Sequence, residues 1–141
     1  MKKLLLTFLI LILTTSIGFC KITHTYDKYG NKTGSYKTNN SSVSSYDRYG
    51  NRTGSYKTNS SGRTTQYDKY GNKVGSFKTG SNGVTTSYDK YGNKTGSYKT
   101  NSNGTTTSYD KYGNKTGSFK TNSSGKTVQY DKYGNQVGSF K

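Results

Sequence analysis

The chain of 141 residues carries 22 Lys and Arg against six acidic side chains, a formal net charge of +16, with 15 Tyr, 18 Gly, one His, one Cys and no Pro or Trp. One cysteine excludes a disulfide framework, and the sparse Leu, Ile, Val and Phe exclude an ordinary aliphatic core, so any folded state is built on tyrosine. The positive excess favours anionic polymers as partners and says nothing about fold.

In chain order, Lys2 and Lys3 precede an apolar run from Leu4 to Leu13, and small and polar residues lead to "SIGFCK". The run is shorter than the roughly 20 apolar residues that span a bilayer and suits the apolar region of a secretory signal peptide. Residues 1–20 are therefore predicted to be a signal peptide cleaved before Lys21, with Gly18 and Cys20 at −3 and −1. Gly18 is a second candidate for −1. Lipid attachment at Cys20 is the rival reading, and Phe19 stands where a lipoprotein signal normally has a small residue. Cleavage leaves a mature chain without cysteine or transmembrane segment, in which 20 basic residues face six Asp for a formal charge of +14. The expected location is secreted, periplasmic or cell-surface. That places anionic polysaccharides and envelope polymers, such as lipopolysaccharide or teichoic acid, ahead of nucleic acid as partners.

Residues 21–141 repeat one phrase, "YDKYGNKVGSFK" at Tyr67 to Lys78, with close copies beginning at Tyr26, Tyr46, Tyr88, Tyr109 and Tyr130. The starts fall 20 residues apart once and 21 thereafter. A fixed period of this size marks a repeat architecture in which each unit packs mainly on its neighbours. Helix is excluded by at least two Gly per unit, abundant Thr, and the absence of Ala and Glu. "DKYGN" has Asp first and Gly fourth, the preference of a type I turn closed by a residue with positive φ. "NSSG" and "NSNG" have the same character, whereas the first connector, "NNSS", lacks the Gly and is one residue short. Between these turns lie strand-forming runs such as "RTTQY" and "KTGSYKT". Each unit thus reads as a hairpin, and six hairpins predict an all-β antiparallel meander or solenoid-like sheet of about twelve strands.

A three-residue loop with a bulge pairs Tyr109 near Lys115 and predicts that Tyr109 and Phe119 share a face, with Gly117 leaving room there for a ring. The first and third rings of each unit are expected to pack. The middle rings, Tyr29, Tyr49, Tyr70, Tyr91, Tyr112 and Tyr133, fall inside turns and are the candidate ligand contacts, together with the basic residues Lys32, Arg52, Lys73, Lys94 and Lys115. Three basic positions recur per unit, as in Lys90, Lys94 and Lys99. Their alternative role is to solvate a thin sheet and discourage edge pairing.

The phrase "YDKYGNKTGSYKTNSSG" followed by "RTTQYD" resembles the YD repeats of bacterial Rhs-type surface proteins. The matching positions are Tyr46, Asp47, Gly50, Asn51, Gly62, Thr64, Thr65, Tyr67 and Asp68, with equivalents in the other units. The resemblance implies continuous antiparallel β-structure made of hairpins. The chain departs from the family in its turn tyrosine, its constant "GS[YF]K" and its charge. Six units are too few for the large chamber of long YD arrays, and no toxin or protease domain follows, so an encapsulating role is not carried over.

Enzyme chemistry fails on inventory. His24 is the only histidine and is expected near a frayed end, and the six Asp hold equivalent turn positions without the asymmetry that paired-carboxylate catalysis needs. Turn capping outranks calcium for these Asp, because each lies beside Lys or Arg. No cofactor or metal site is expected. The leading expectation is a non-enzymatic protein binding anionic polymers multivalently. A self-assembling or adhesive surface fibre is the alternative, and a disordered spacer is the third.

Overall fold

The computed structural model describes residues 20–141; the predicted signal peptide and its cleavage context lie outside the described residues, except for Cys20, which is exposed and free. Twelve antiparallel strands follow one another as a meander: β1 (Lys21–Asp27), β2 (Lys32–Asn39), β3 (Ser42–Asp47), β4 (Arg52–Thr58), β5 (Arg63–Asp68), β6 (Lys73–Thr79), β7 (Val84–Asp89), β8 (Lys94–Thr100), β9 (Thr105–Asp110), β10 (Lys115–Thr121), β11 (Thr127–Asp131) and β12 (Gln136–Phe140). The all-β hairpin repeat is as the sequence predicts. The meander then closes: β12 pairs with β1, and the sheet is a barrel.

Each hairpin carries the expected pairing, Tyr109 opposite Lys115 for example, but the next pair is Ser108 with Gly117, leaving Thr116 as an extra residue. The same shift recurs at Thr33, Thr53, Val74, Thr95 and Val137. One extra residue reverses side-chain parity. Tyr109 and Phe119 therefore point to opposite faces, correcting the shared face expected from the turn alone. The third rings, Tyr36, Tyr56, Phe77, Tyr98, Phe119 and Phe140, face inward and are buried. The first rings, Tyr26, Tyr46, Tyr67, Tyr88, Tyr109 and Tyr130, lie half-buried on the outer wall, each opposite the Ser of the preceding "GS[YF]" run, as in Tyr67 with Ser55, or, for Tyr26, opposite Ser139 of the last strand.

The inward rings explain how so polar a chain fills a barrel. Eight strands already enclose enough space for side chains, and girth grows with strand number, so twelve require large inward residues. One ring per hairpin supplies them, each opposite a small partner such as Thr64 for Phe77 or Thr106 for Phe119. Burial pushes the Tyr56 hydroxyl up to about 12 and raises that of Tyr36 further, with the Tyr56 charge adding to the effect. The glycine of "GS[YF]" does not make room for a ring. A Cβ on Gly54 would stand 2.6 Å from the Tyr67 carbonyl oxygen, so a backbone, not a ring, occupies that space.

Hydroxyl pairs organise the interior near the connectors: Thr58 with Thr64 and Thr79 with Thr85 at 2.9 Å, Thr100 with Thr106 and Thr121 with Thr127 at 2.8 Å. The short first connector breaks the series, because Val43 replaces the second Thr and the buried Thr38 hydroxyl is left without a partner. A second irregularity has an equally local cause. Gln66 Nε2 donates to the Tyr56 hydroxyl at 3.3 Å, while Gln129 Nε2 faces Phe119, which has no hydroxyl to accept it.

Candidate functional site

All six "D[KR]YGN" turns lie at one end of the barrel, and the five connectors lie at the other with Lys21 and Lys141. The six turns form a crown. Two strand spacings of about 4.8 Å, widened by a strand tilt of about 40°, set neighbouring crown turns about 10–13 Å apart along the rim.

Asp dictates each turn. In the turn from Asp68 to Asn72, the Gly71 N–H donates to the Asp68 carbonyl at 3.2 Å, and the Asp68 N–H donates to the Asn72 carbonyl at 2.9 Å. Asp68 Oδ1 accepts from the Tyr70 and Asn72 N–H groups at 2.9 and 2.8 Å, and Oδ2 accepts from Asn72 Nδ2 at 3.0 Å. Gly71 closes the turn at φ +91, a conformation costly for any residue with a side chain. The other five turns repeat this network. The Asn side chain, helped by backbone N–H donors, holds every one of these carboxyls below the ordinary aspartate value. The Asp residues thus cap turns, as expected, and among the described residues no group of three His, Cys, Asp or Glu is placed to hold a metal ion.

The two residues between Asp and Gly are held outward by this network and contribute nothing to it through their side chains. Tyr29, Tyr49, Tyr70, Tyr91, Tyr112 and Tyr133 are exposed to between 78% and 81%, as their placement in the turn suggests. Over each ring lies the cation that precedes it. The ammonium of Lys28, Lys69, Lys90 and Lys111 stands 4.8 Å from the following ring centroid, that of Lys132 4.7 Å, and the Arg48 guanidinium 5.7 Å. These distances lie within reach of cation–π attraction. The other predicted contacts, Lys32, Arg52, Lys73, Lys94 and Lys115, follow the turn and stand exposed at the first position of their strands on the same rim, but no cation–π contact joins them to the crown rings. The paired cations fall outside that prediction, although adjacency in "DKY" is a usable signal: the two central residues of a tight turn point away from the sheet together.

The third basic position leaves the crown. Lys37, Lys57, Lys78, Lys99 and Lys120 stand on the outer wall toward the connectors, so Lys90, Lys94 and Lys99 share no single face. Lys57 lies 5.9 Å from the Tyr67 ring and Arg63 5.8 Å from that of Tyr88, which extends ring-and-cation pairing onto the wall. His24 is not at a frayed end. It sits mid-strand in β1, paired with Ser35 on one side and bonded to the Lys141 backbone on the other, and its buried Nδ1 has no hydrogen-bond partner among the described residues. Among the described residues no helix is long and apolar enough to cross a membrane. No protein-family model and no curated protein matches the chain.

Proposed function

We propose that the protein is a secreted, non-enzymatic repeat barrel whose crown binds anionic polymers of the cell envelope or surroundings, glycans above all, through several turns at once. The observation that carries this reading is a difference between turns of the same backbone. The connector from Asn59 to Arg63 has the crown's backbone hydrogen bonds and Gly62 at φ +73, with Asn59 Oδ1 accepting from the Arg63 N–H at 2.9 Å and from the Ser61 hydroxyl at 2.8 Å, yet its two central residues are Ser60 and Ser61. Serine therefore satisfies the turn. Six Lys/Arg–Tyr pairs on one end are surplus to folding, and their chemistry suits an acidic sugar: a ring face for the sugar's apolar face and a cation for its anionic group.

The wall agrees with a barrel in water. Its strands of five to eight residues are shorter than the roughly 9–11 of membrane barrels, and its outward lysines would each cost about 2–4 kcal/mol at a bilayer midplane. Resemblance to YD repeats of surface proteins points to the same compartment. The test is binding of immobilised dextran sulfate against neutral dextran, with single-stranded DNA as competitor, before and after all six crown pairs are replaced by Ser–Ser. Loss of sulfate-dependent, salt-sensitive binding in a variant that still folds is the expected outcome. Equal binding to neutral dextran, or affinity unchanged in the variant, overturns the reading.

A further inference from the structure

Each "GS[YF]" strand meets the first strand of the next unit in one register. In β4 and β5 the pairs are Gly54 with Asp68, Ser55 with Tyr67 and Tyr56 with Gln66; in β8 and β9 they are Gly96 with Asp110, Ser97 with Tyr109 and Tyr98 with Ser108. The seam between β12 and β1, which no turn joins, has the same pairs: Gly138 with Asp27, Ser139 with Tyr26 and Phe140 with Thr25. The sixth unit treats the first as though it were the seventh.

The seam is also the weakest junction. Its ladder has three register pairs and the two backbone bonds between His24 and Lys141, at 2.8 and 3.1 Å, whereas the other unit-to-unit junctions have five or six pairs. Approach is looser: a Cβ on Gly138 would stand 3.2 Å from the Tyr26 carbonyl oxygen, against 2.6 Å for Gly54 and Tyr67. The unpartnered Nδ1 of His24 lies in the same junction.

We propose that the seam is an interface for a second copy of this chain. Opening it exposes two different edges, the β12 edge and the β1 edge, which complement each other and not themselves. Contact between copies is therefore head-to-tail, β12 of one chain on β1 of the next, in the register of a unit junction, and the assembly ends when the last β12 reaches the first β1. This association reuses the barrel's own ladder and needs no stacking of Lys-bearing strands in register.

The test uses the segment Lys21–Lys141, which holds every strand of the barrel and no cysteine. His24 and Lys141 form a hydrogen-bonded pair, for which Cα atoms lie about 5.5 Å apart, within the reach of a disulfide. The His24→Cys, Lys141→Cys variant, once oxidised, locks the seam. Wild type and locked protein are warmed to the foot of the melting transition at high concentration, cooled, and measured by size-exclusion chromatography and native mass spectrometry, with light and heavy isotope-labelled chains mixed. Mixed-label oligomers in wild type, their loss in the locked protein and their return on reduction are expected. Wild type that stays monomeric overturns the proposal, as does a locked barrel that associates as readily. An unchanged strand signal in circular dichroism shows that the lock preserves the fold.

Discussion

Apart from the shorter first connector, the two ends of the barrel are closed by turns of one backbone design carrying different side chains. At the crown, Asp accepts the turn's N–H groups and Lys or Arg with Tyr projects into solvent; at the connector end, Asn accepts them in turns such as Asn122 to Lys126, where Ser123 and Ser124 take the central places and the Ser124 hydroxyl also donates to Asn122 Oδ1 at 2.7 Å. Side chains that take no part in such a turn report something other than folding. The crown also repeats itself six times with little change, while the connectors vary in length and letter, "NNSS" against "GSNG".

The comparison depends on the wall that holds the ends apart, and the largest effect is expected there. Gly54→Val drives a branched side chain into the Tyr67 carbonyl and is expected to cost about 3 kcal/mol or more. Urea unfolding monitored by tyrosine circular dichroism measures it, and near-wild-type stability would mean that neighbouring strands do not approach so closely.

Acid should separate the ends. Aspartates whose carboxyls are held below their ordinary value of 3.8 stabilise the fold fully above that value and lose the contribution as pH falls through the lowered one. The Asn of the connectors does not titrate. Amide exchange at Tyr70 and Asn72 is expected to quicken on acidification relative to that at Gly62 and Arg63, once the intrinsic pH dependence of exchange is divided out. Asp68→Asn should remove the difference at its own turn, and equal acid sensitivity at both ends would refute the assignment.

Replacing Lys69 and Tyr70 together by Ser is expected to leave stability within about 0.5 kcal/mol, because the connectors show the turn closing on Ser. A larger loss in thermal melting would make the crown pairs structural and remove the main support for a binding role.

Much of the fold is legible in the sequence because its determinants are local. Asp and Gly at fixed offsets specify the "DKYGN" turn, and strand-forming letters between turns specify hairpins. Face assignment fails at Thr116 and its equivalents, because neither Thr nor Val announces a bulge, and one inserted residue reverses every side chain beyond it. Closure is hidden for a different reason. Gly138, Ser139 and Phe140 carry the same letters as every other unit, and nothing in them shows that their partner is the first strand and not a further one. Within the site, the crown tyrosines are legible from their place in the turn. Their cations are legible only from adjacency in "DKY", because basic residues are equally regular on the far side of the turn and spacing alone does not reveal which side chain lies over a ring.

The equality of junctions also bears on heredity. A whole unit gained or lost leaves the register of every remaining junction as it is. Each unit brings two strands and one inward ring, so unit number sets girth and aromatic filling together.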